Sequence, residues 1–233
     1  LFVASNPQVE GSWYWWSNSE VHFRPKQRWA PGTRVSVRLG IGGLPVGSGL
    51  YGKRDRLVNF TVGDQVLTRV DGAAHVARVY RNGALVRTMP ASLGKASTPT
   101  SSGHLVVMDK KEAMTFDSGT FGVPATSAEG YREKVYWDVR FTWGGEFFHA
   151  APWSVGSQGR RNVSHGCVNL SPANARWYFG YVKKGDAVEV VNTGRAVRPG
   201  DGWTDWNVPW GSYVKGSALY GTGHQQITTT PLF

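Results

Sequence analysis

Cysteine is nearly absent: the 233 residues hold one, Cys167, so no disulfide can form within the chain, and no zinc-ligand spacing surrounds it. Long apolar runs are absent too; none approaches the roughly 20 residues a helix needs to cross a bilayer. The chain opens at Leu1 without a methionine or a charged-then-apolar leader, which predicts a processed or trimmed N-terminus. Charged residues make up only 18% of the chain. The formal charge is +10, yet its basic residues stand singly or in pairs such as Lys110-Lys111, Arg160-Arg161 and Lys183-Lys184. With no basic helix and no RNA-binding aromatic motif, nucleic acid is excluded as a partner, and a diffuse positive field suits an anionic polymer at a cell surface better. A single cysteine leaves the redox compartment open. Low charge, abundant Gly, Ser, Thr and Trp, and a β texture point to an exported protein.

What is present is enough apolar material for a core, 40% hydrophobic and 13% aromatic. From Leu1 to about Val62, Trp13, Trp15, Val21 and Phe23, then Val35, Val37 and Leu39, recur at period two, the mark of half-buried strands, with Trp15 and its alternates expected in a sandwich core. About four strands fit there, against the seven usual for an immunoglobulin-like sandwich, so this module is expected to be N-terminally incomplete. Gly63-Asp64 marks the boundary. Beyond it, Arg81-Asn82-Gly83 between two alternating runs predicts a hairpin with a type I′ turn, and further strands are predicted near 105–108, 134–143, 146–149 and 187–191. One helix is predicted after Ser171, with Pro172 at its first position and Gly185 as the stop. From Gly194 the chain is a Gly, Pro and Trp tail that Trp203, Trp206 and Trp210 are expected to pin.

The chemistry gathers around Ser164-His165-Gly166-Cys167-Val168-Asn169, with His149 eighteen residues before the cysteine. A thiol is mostly protonated at neutral pH and becomes a nucleophile only beside a base or cation. His149 and His165 are the candidate bases. His165 is expected on the same face as Cys167, two residues along an extended strand. Gly166 is expected to open space beside the sulfur and to leave the N–H groups of Gly166 and Cys167 available to an oxyanion, a layout for acyl transfer. The bland alternatives are a small buried hydrophobe at Cys167 and an ordinary core histidine at His149.

A histidine, fourteen residues, then Ser-His-Gly-Cys, a hydrophobic residue and Asn resembles the signature of L,D-transpeptidases with a YkuD-type catalytic domain. The stretches Asn6–Gly11, Arg28–Thr33, Met89 to Thr100, Phe121–Pro124, Ala151–Gly156 and Gly185–Asn192 extend the likeness to the mycobacterial branch. The resemblance implies a mainly β chain. It contains a partial immunoglobulin-like β-sandwich (1–62), a YkuD-type β-rich catalytic domain with one clear helix (63–193), and a C-terminal extension packing at the domain junction (194–233). It also implies an exported enzyme of the periplasm or cell wall, held to the outer face of the plasma membrane by an anchor outside this chain, needing no cofactor or metal. The expected donor is a peptidoglycan tetrapeptide stem, the acceptor a meso-diaminopimelate amine and the product a 3→3 cross-link, with carbapenem-type β-lactams as covalent inhibitors.

The same likeness implies Cys167 as nucleophile and His149 as general base, steadied by the Ala150 carbonyl. Tyr131 matches the family's lid tyrosine near an oxyanion site built with the N–H groups of His165, Gly166 and Cys167. Trp153 and Asn169 match pocket positions, and Ser164, Phe116 and Gly145 complete the expected substrate side. Phe116 stands where relatives often carry methionine, and Gly144 where serine is common. An L,D-carboxypeptidase using the same site is an alternative, and so is a non-catalytic wall-binding module. A papain-like protease is disfavoured because its cysteine precedes its histidine.

Overall fold

The computed structural model describes residues 1–121, 124, 126–127, 130, 132–225 and 227–232, and the chain divides into two units, Leu1–Asp64 with Val208–Phe233, and Gln65–Asn207. The segment read as one C-terminal extension is therefore split: residues up to Asn207 belong to the larger unit and those from Val208 to the smaller.

In the smaller unit, β1 (Phe2–Asn6), β4 (Arg34–Leu39) and β7 (Arg56–Thr61) pair antiparallel, and the terminal β17 (Thr230–Pro231) adds to β1 in parallel. A second hairpin joins β2 (Gly11–Ser17) to β3 (Glu20–Pro25), and a short one joins β5 (Pro45–Gly47) to β6 (Leu50–Tyr51). Val3 and Val35 are buried as the alternation predicts. The tryptophans of β2 differ from expectation: Trp15 is 43% exposed, while Trp13 is half-buried edge-on against Phe23. The other face of that hairpin is itself aromatic, with Tyr14 stacked on Tyr213 and Trp16 on His22, so period two there separates two aromatic surfaces rather than core from solvent. Trp203, expected to pin the tail, is exposed.

The larger unit packs two sheets face to face. One has the order β10 (Ala84–Pro90), β9 (Val76–Arg81), β8 (Val66–Asp71), β16 (Ala187–Val191), β11 (Gly103–Val106); the other runs β12 (Asp109–Asp117), β13 (Arg132–Arg140), β14 (Phe147–Ala150), β15 (Val168–Leu170). Asn82 and Gly83, at φ 51° and 84°, make the I′ turn that the Asn-Gly pair predicts. Val70, Val79, Leu105, Phe141, Phe148, Leu170, Tyr178 and Val188 fill the core. The helix α1 (Pro172–Tyr181) is capped by the Ser171 side chain, which accepts from the Asn174 N–H, and ends at Val182, three residues before the predicted glycine stop. It lowers Tyr178 into the core, where the ring meets Phe148 at 4.5 Å and the hydroxyl bonds Thr68 Oγ1 at 3.0 Å.

One residue breaks the alternation of β13. Trp137 has φ 61°, a costly conformation for a bulky side chain. Arg140 pairs with Phe147 and stacks on its ring, and Phe116, seven positions out of phase through its partner Glu133, reaches that same ring. In a regular strand those residues lie on opposite faces. The Trp137 ring meets Phe179 and the guanidinium of Arg176, both on α1, and Phe116 at the outer end of the β12–β13 pair reaches the histidine described next.

Candidate active site

His149 stands on β14, whose four residues are all buried, and is 3% exposed. Its Nδ1 lies 3.0 Å from the Ala150 carbonyl oxygen. A carbonyl can only accept, so Nδ1 carries the hydrogen and Nε2 is the basic atom. Asn169 is a second hydrogen-bond partner of the ring and is itself fixed by Nδ2 donating to Ser154 Oγ at 3.1 Å. Loss of hydration outweighs both bonds and pushes the imidazole down to about 4, so it is neutral at physiological pH.

Cys167 immediately precedes the neighbouring strand, β15. β14 and β15 run parallel with His149 opposite Asn169, so the cysteine sits two residues back along the adjacent chain. Adjacent strands lie roughly 5 Å apart, so the backbones carrying His149 and the segment after Cys167 are neighbours. The approach to Cys167 is a series of bends rather than an extended strand. Strict alternation therefore does not apply, and His165 is exposed while Cys167 is half-buried.

The loop is pinned from both sides. Ser164 donates its hydroxyl to the Cys167 carbonyl at 2.6 Å and accepts from the Gly166 N–H at 3.1 Å, and Thr100 Oγ1 donates to the Gly166 carbonyl at 2.7 Å. The Gly166 N–H is thus occupied by Ser164 and is not open to an oxyanion as the sequence suggested. Gly166 is needed for another reason: its φ is 134°, and a Cβ there would point at Glu146, 3.6 Å away, rather than towards a substrate.

The sulfur lies 3.8 Å from the Gly145 carbonyl, to which the thiol donates, and accepts from the Phe147 N–H. Burial, reinforced by the carboxylates of Glu146 and Asp138, pushes the thiol up to about 12. At rest both the thiol and the imidazole are neutral.

Of the substrate-side candidates, Phe116 lies 5.1 Å from the His149 ring and Trp153, 56% exposed, lies 6.0 Å from it. Gly145 supplies the carbonyl already named, and Ser164 and Asn169 are buried supports of the loop and the histidine. Tyr131 lies outside the described residues. Gly144 donates its N–H to Asp201, and a Cβ there would sit 2.9 Å from that carboxylate, so a serine would displace Asp201. Among the described residues no group of three or more His, Cys, Asp or Glu could hold a metal.

Two buried carboxylates beside the cysteine escaped the sequence reading. Glu146 accepts from the Ser101 N–H and from Arg195, fixing the segment that carries Thr100 against the Ser164–Cys167 loop. Asp138 lies in β13, 1% exposed. The available signal was a lone carboxylate within an otherwise apolar strand, in Val135–Val139 and again before Phe147-Phe148.

A family profile described as "L,D-transpeptidase catalytic domain" matches residues 66–190, and one described as "Bacterial Ig domain" matches residues 1–45. L,D-transpeptidase 2 of Mycobacterium tuberculosis is 45% identical over 93% of this chain and 53% of its own length, so the chain spans about half of that relative. A solved L,D-transpeptidase in complex with imipenem superposes with a TM-score of 0.70 at 41% identity, covering 81% of each chain. The structure of L,D-transpeptidase 3 from M. tuberculosis with a faropenem-derived adduct gives a TM-score of 0.67 at 30% identity, over 82% of this chain and 81% of that one.

Proposed function

The chain belongs to the family of L,D-transpeptidase catalytic domains, and from that premise we propose that it cross-links peptidoglycan through an acyl-enzyme on Cys167. The single observation that supports this reading is the pairing of β14 with β15, in which His149 lies opposite Asn169, two residues after the chain's one thiol. Peptidoglycan lies outside the plasma membrane, so the enzyme works as an exported protein, anchored at the outer face of that membrane.

The neutral resting pair dictates the order of events. As the sulfur attacks the carbonyl carbon of the donor stem, its proton passes to His149 Nε2, and the Ala150 carbonyl supports the imidazolium that forms. The tetrahedral intermediate collapses, the imidazolium gives that proton to the nitrogen of the departing D-alanine, and a thioester remains. The acceptor amine of meso-diaminopimelate then attacks the thioester, losing its proton to His149, and the thiolate regains a proton as the 3→3 amide is released. Water in place of the amine gives carboxypeptidation. Phe116 and Trp153, flanking the ring, shape the donor site. With the Gly166 N–H held by Ser164, the oxyanion falls to the Cys167 N–H among the loop donors next to the sulfur.

Mass spectrometry after exposure to imipenem tests the nucleophile. One adduct on Cys167, absent in Cys167→Ala and slowed at least a hundredfold in His149→Ala, is expected for general-base catalysis, worth roughly two to four orders of magnitude. An adduct that persists in Cys167→Ala overturns the reading. Incubation with tetrapeptide muropeptides is expected to yield cross-linked dimers; tripeptides alone would reassign the chain to hydrolysis.

A further inference from the structure

Asp138 has no task in acyl transfer, yet among the described residues neither of its oxygens has a hydrogen-bond partner outside its own residue. It borders a recess of about 30 Å³, room for a water, that Phe147 also lines. The Phe147 N–H bonds the Cys167 sulfur, so one residue joins the recess to the nucleophile.

The charged neighbours are otherwise engaged. On β12, Asp109 pairs with Lys184 at 2.8 Å and Lys110 donates to the Val182 carbonyl at 2.6 Å, while Lys111, opposite Asp138, is the cation that attracts it. On its own strand Arg140 is spent on the carbonyls of Thr142 and Trp143. On the histidine side, Glu146 is held by Arg195, and His149 is neutral at physiological pH. Burial therefore dominates and raises Asp138 to about 7.

We propose that Asp138 is a positioning residue for the nucleophile, acting by charge: when it holds a proton Cys167 can shed its own during attack, and when it is ionised it opposes that loss. The proposal rests on the reading of Cys167 as nucleophile. Its test does not, because Cys167 is the only thiol and iodoacetamide reports its ionisation whatever its role.

In the wild-type chain the logarithm of the alkylation rate is expected to climb with pH, flatten around pH 7 as Asp138 ionises, and climb again. In Asp138→Asn the climb is expected to be unbroken. It meets the wild-type line on the acid side and runs roughly tenfold above it on the alkaline side, the effect of one charge removed from a partly screened interior. Carbapenem acylation is expected to show the same crossover. A purely structural effect shifts the rate equally at all pH values, and that parallel offset, or a shoulder surviving in Asp138→Asn, overturns the proposal. A wild-type profile with no shoulder overturns it without any variant. Failure of the nucleophile reading shows separately, as an imipenem adduct that survives in Cys167→Ala.

Discussion

At the scale of single residues, burial controls the site more than neighbouring charge does. His149 is lowered from 6.5 to about 4, so its basic form persists down to that pH, and acylation by a carbapenem is expected to hold from neutrality down to about pH 5 and to collapse as pH falls through 4. A stopped-flow profile that instead titrates at the ordinary histidine value would show the ring to be hydrated. The same shift bears on folding. The unfolded chain binds this proton at 6.5 and the folded one only near 4, so stability is complete above 6.5 and declines as pH falls through that window. Asp138 has the opposite sign. Its folded value of about 7 lies above the ordinary 3.8, so ionising it erodes stability as pH rises from 3.8 to 7. Asp138→Asn is therefore expected to stabilise the fold at pH 8 by on the order of 2 kcal/mol, read as a higher melting temperature, and to change little at pH 4. Gly166→Ala is expected to cost about 1–3 kcal/mol because φ 134° is closed to other residues, and to slow acylation through the displaced loop, measurable by denaturation and imipenem labelling together.

At the scale of elements, the sequence made those parts legible whose cause is local. Asn82-Gly83 sets its own turn, Ser171-Pro172 starts its own helix, and the His149 to Cys167 spacing survives because both residues sit on or beside short neighbouring strands. What stayed hidden depends on contacts between elements. Nothing in Tyr136-Trp137-Asp138 announces a left-handed tryptophan, whose ring contacts, Phe179 and Arg176, come from α1, far along the chain. The same limit applies to Ser164, which looked like a motif letter and is in fact the hydroxyl that occupies the Gly166 N–H. Tyr178 illustrates how α1 is tied down: its hydroxyl meets Thr68 across the core with no exposure to water. Tyr178→Phe leaves that Thr68 oxygen without this partner and is expected to cost about 1–3 kcal/mol in urea denaturation, with the secondary structure retained.

At the scale of the whole molecule, a segment's place in the chain order was a poor guide to where it belongs. Composition marked residues 194–233 as one tail, but a Gly, Pro and Trp texture carries no record of which surface it will cover; Arg195 went to Glu146 in the larger unit, and Thr230 went to β1 in the smaller. Within the smaller unit the returning segment is gripped by Arg24, which is 6% exposed. Its guanidinium lies 4.4 Å from the ring centre of Tyr213 and 5.4 Å from that of Trp210, and it donates to the Val208 carbonyl at 2.7 Å. A buried cation stacked on aromatics is worth about 2 kcal/mol or more. Arg24→Ala removes the stack, the hydrogen bond and the packing of the side-chain stem at once. The expected result is faster proteolytic release of residues beyond 208 and a red-shifted Trp210 emission, with imipenem labelling of Cys167 unchanged because the larger unit keeps its own core. Arg24→Lys is expected to fall between the two, since an ammonium cannot lie flat on two rings while reaching a carbonyl. Equal protection of the segment in all three proteins would mean that β17 and the Trp210–Glu10 bond at 2.9 Å hold it without the arginine.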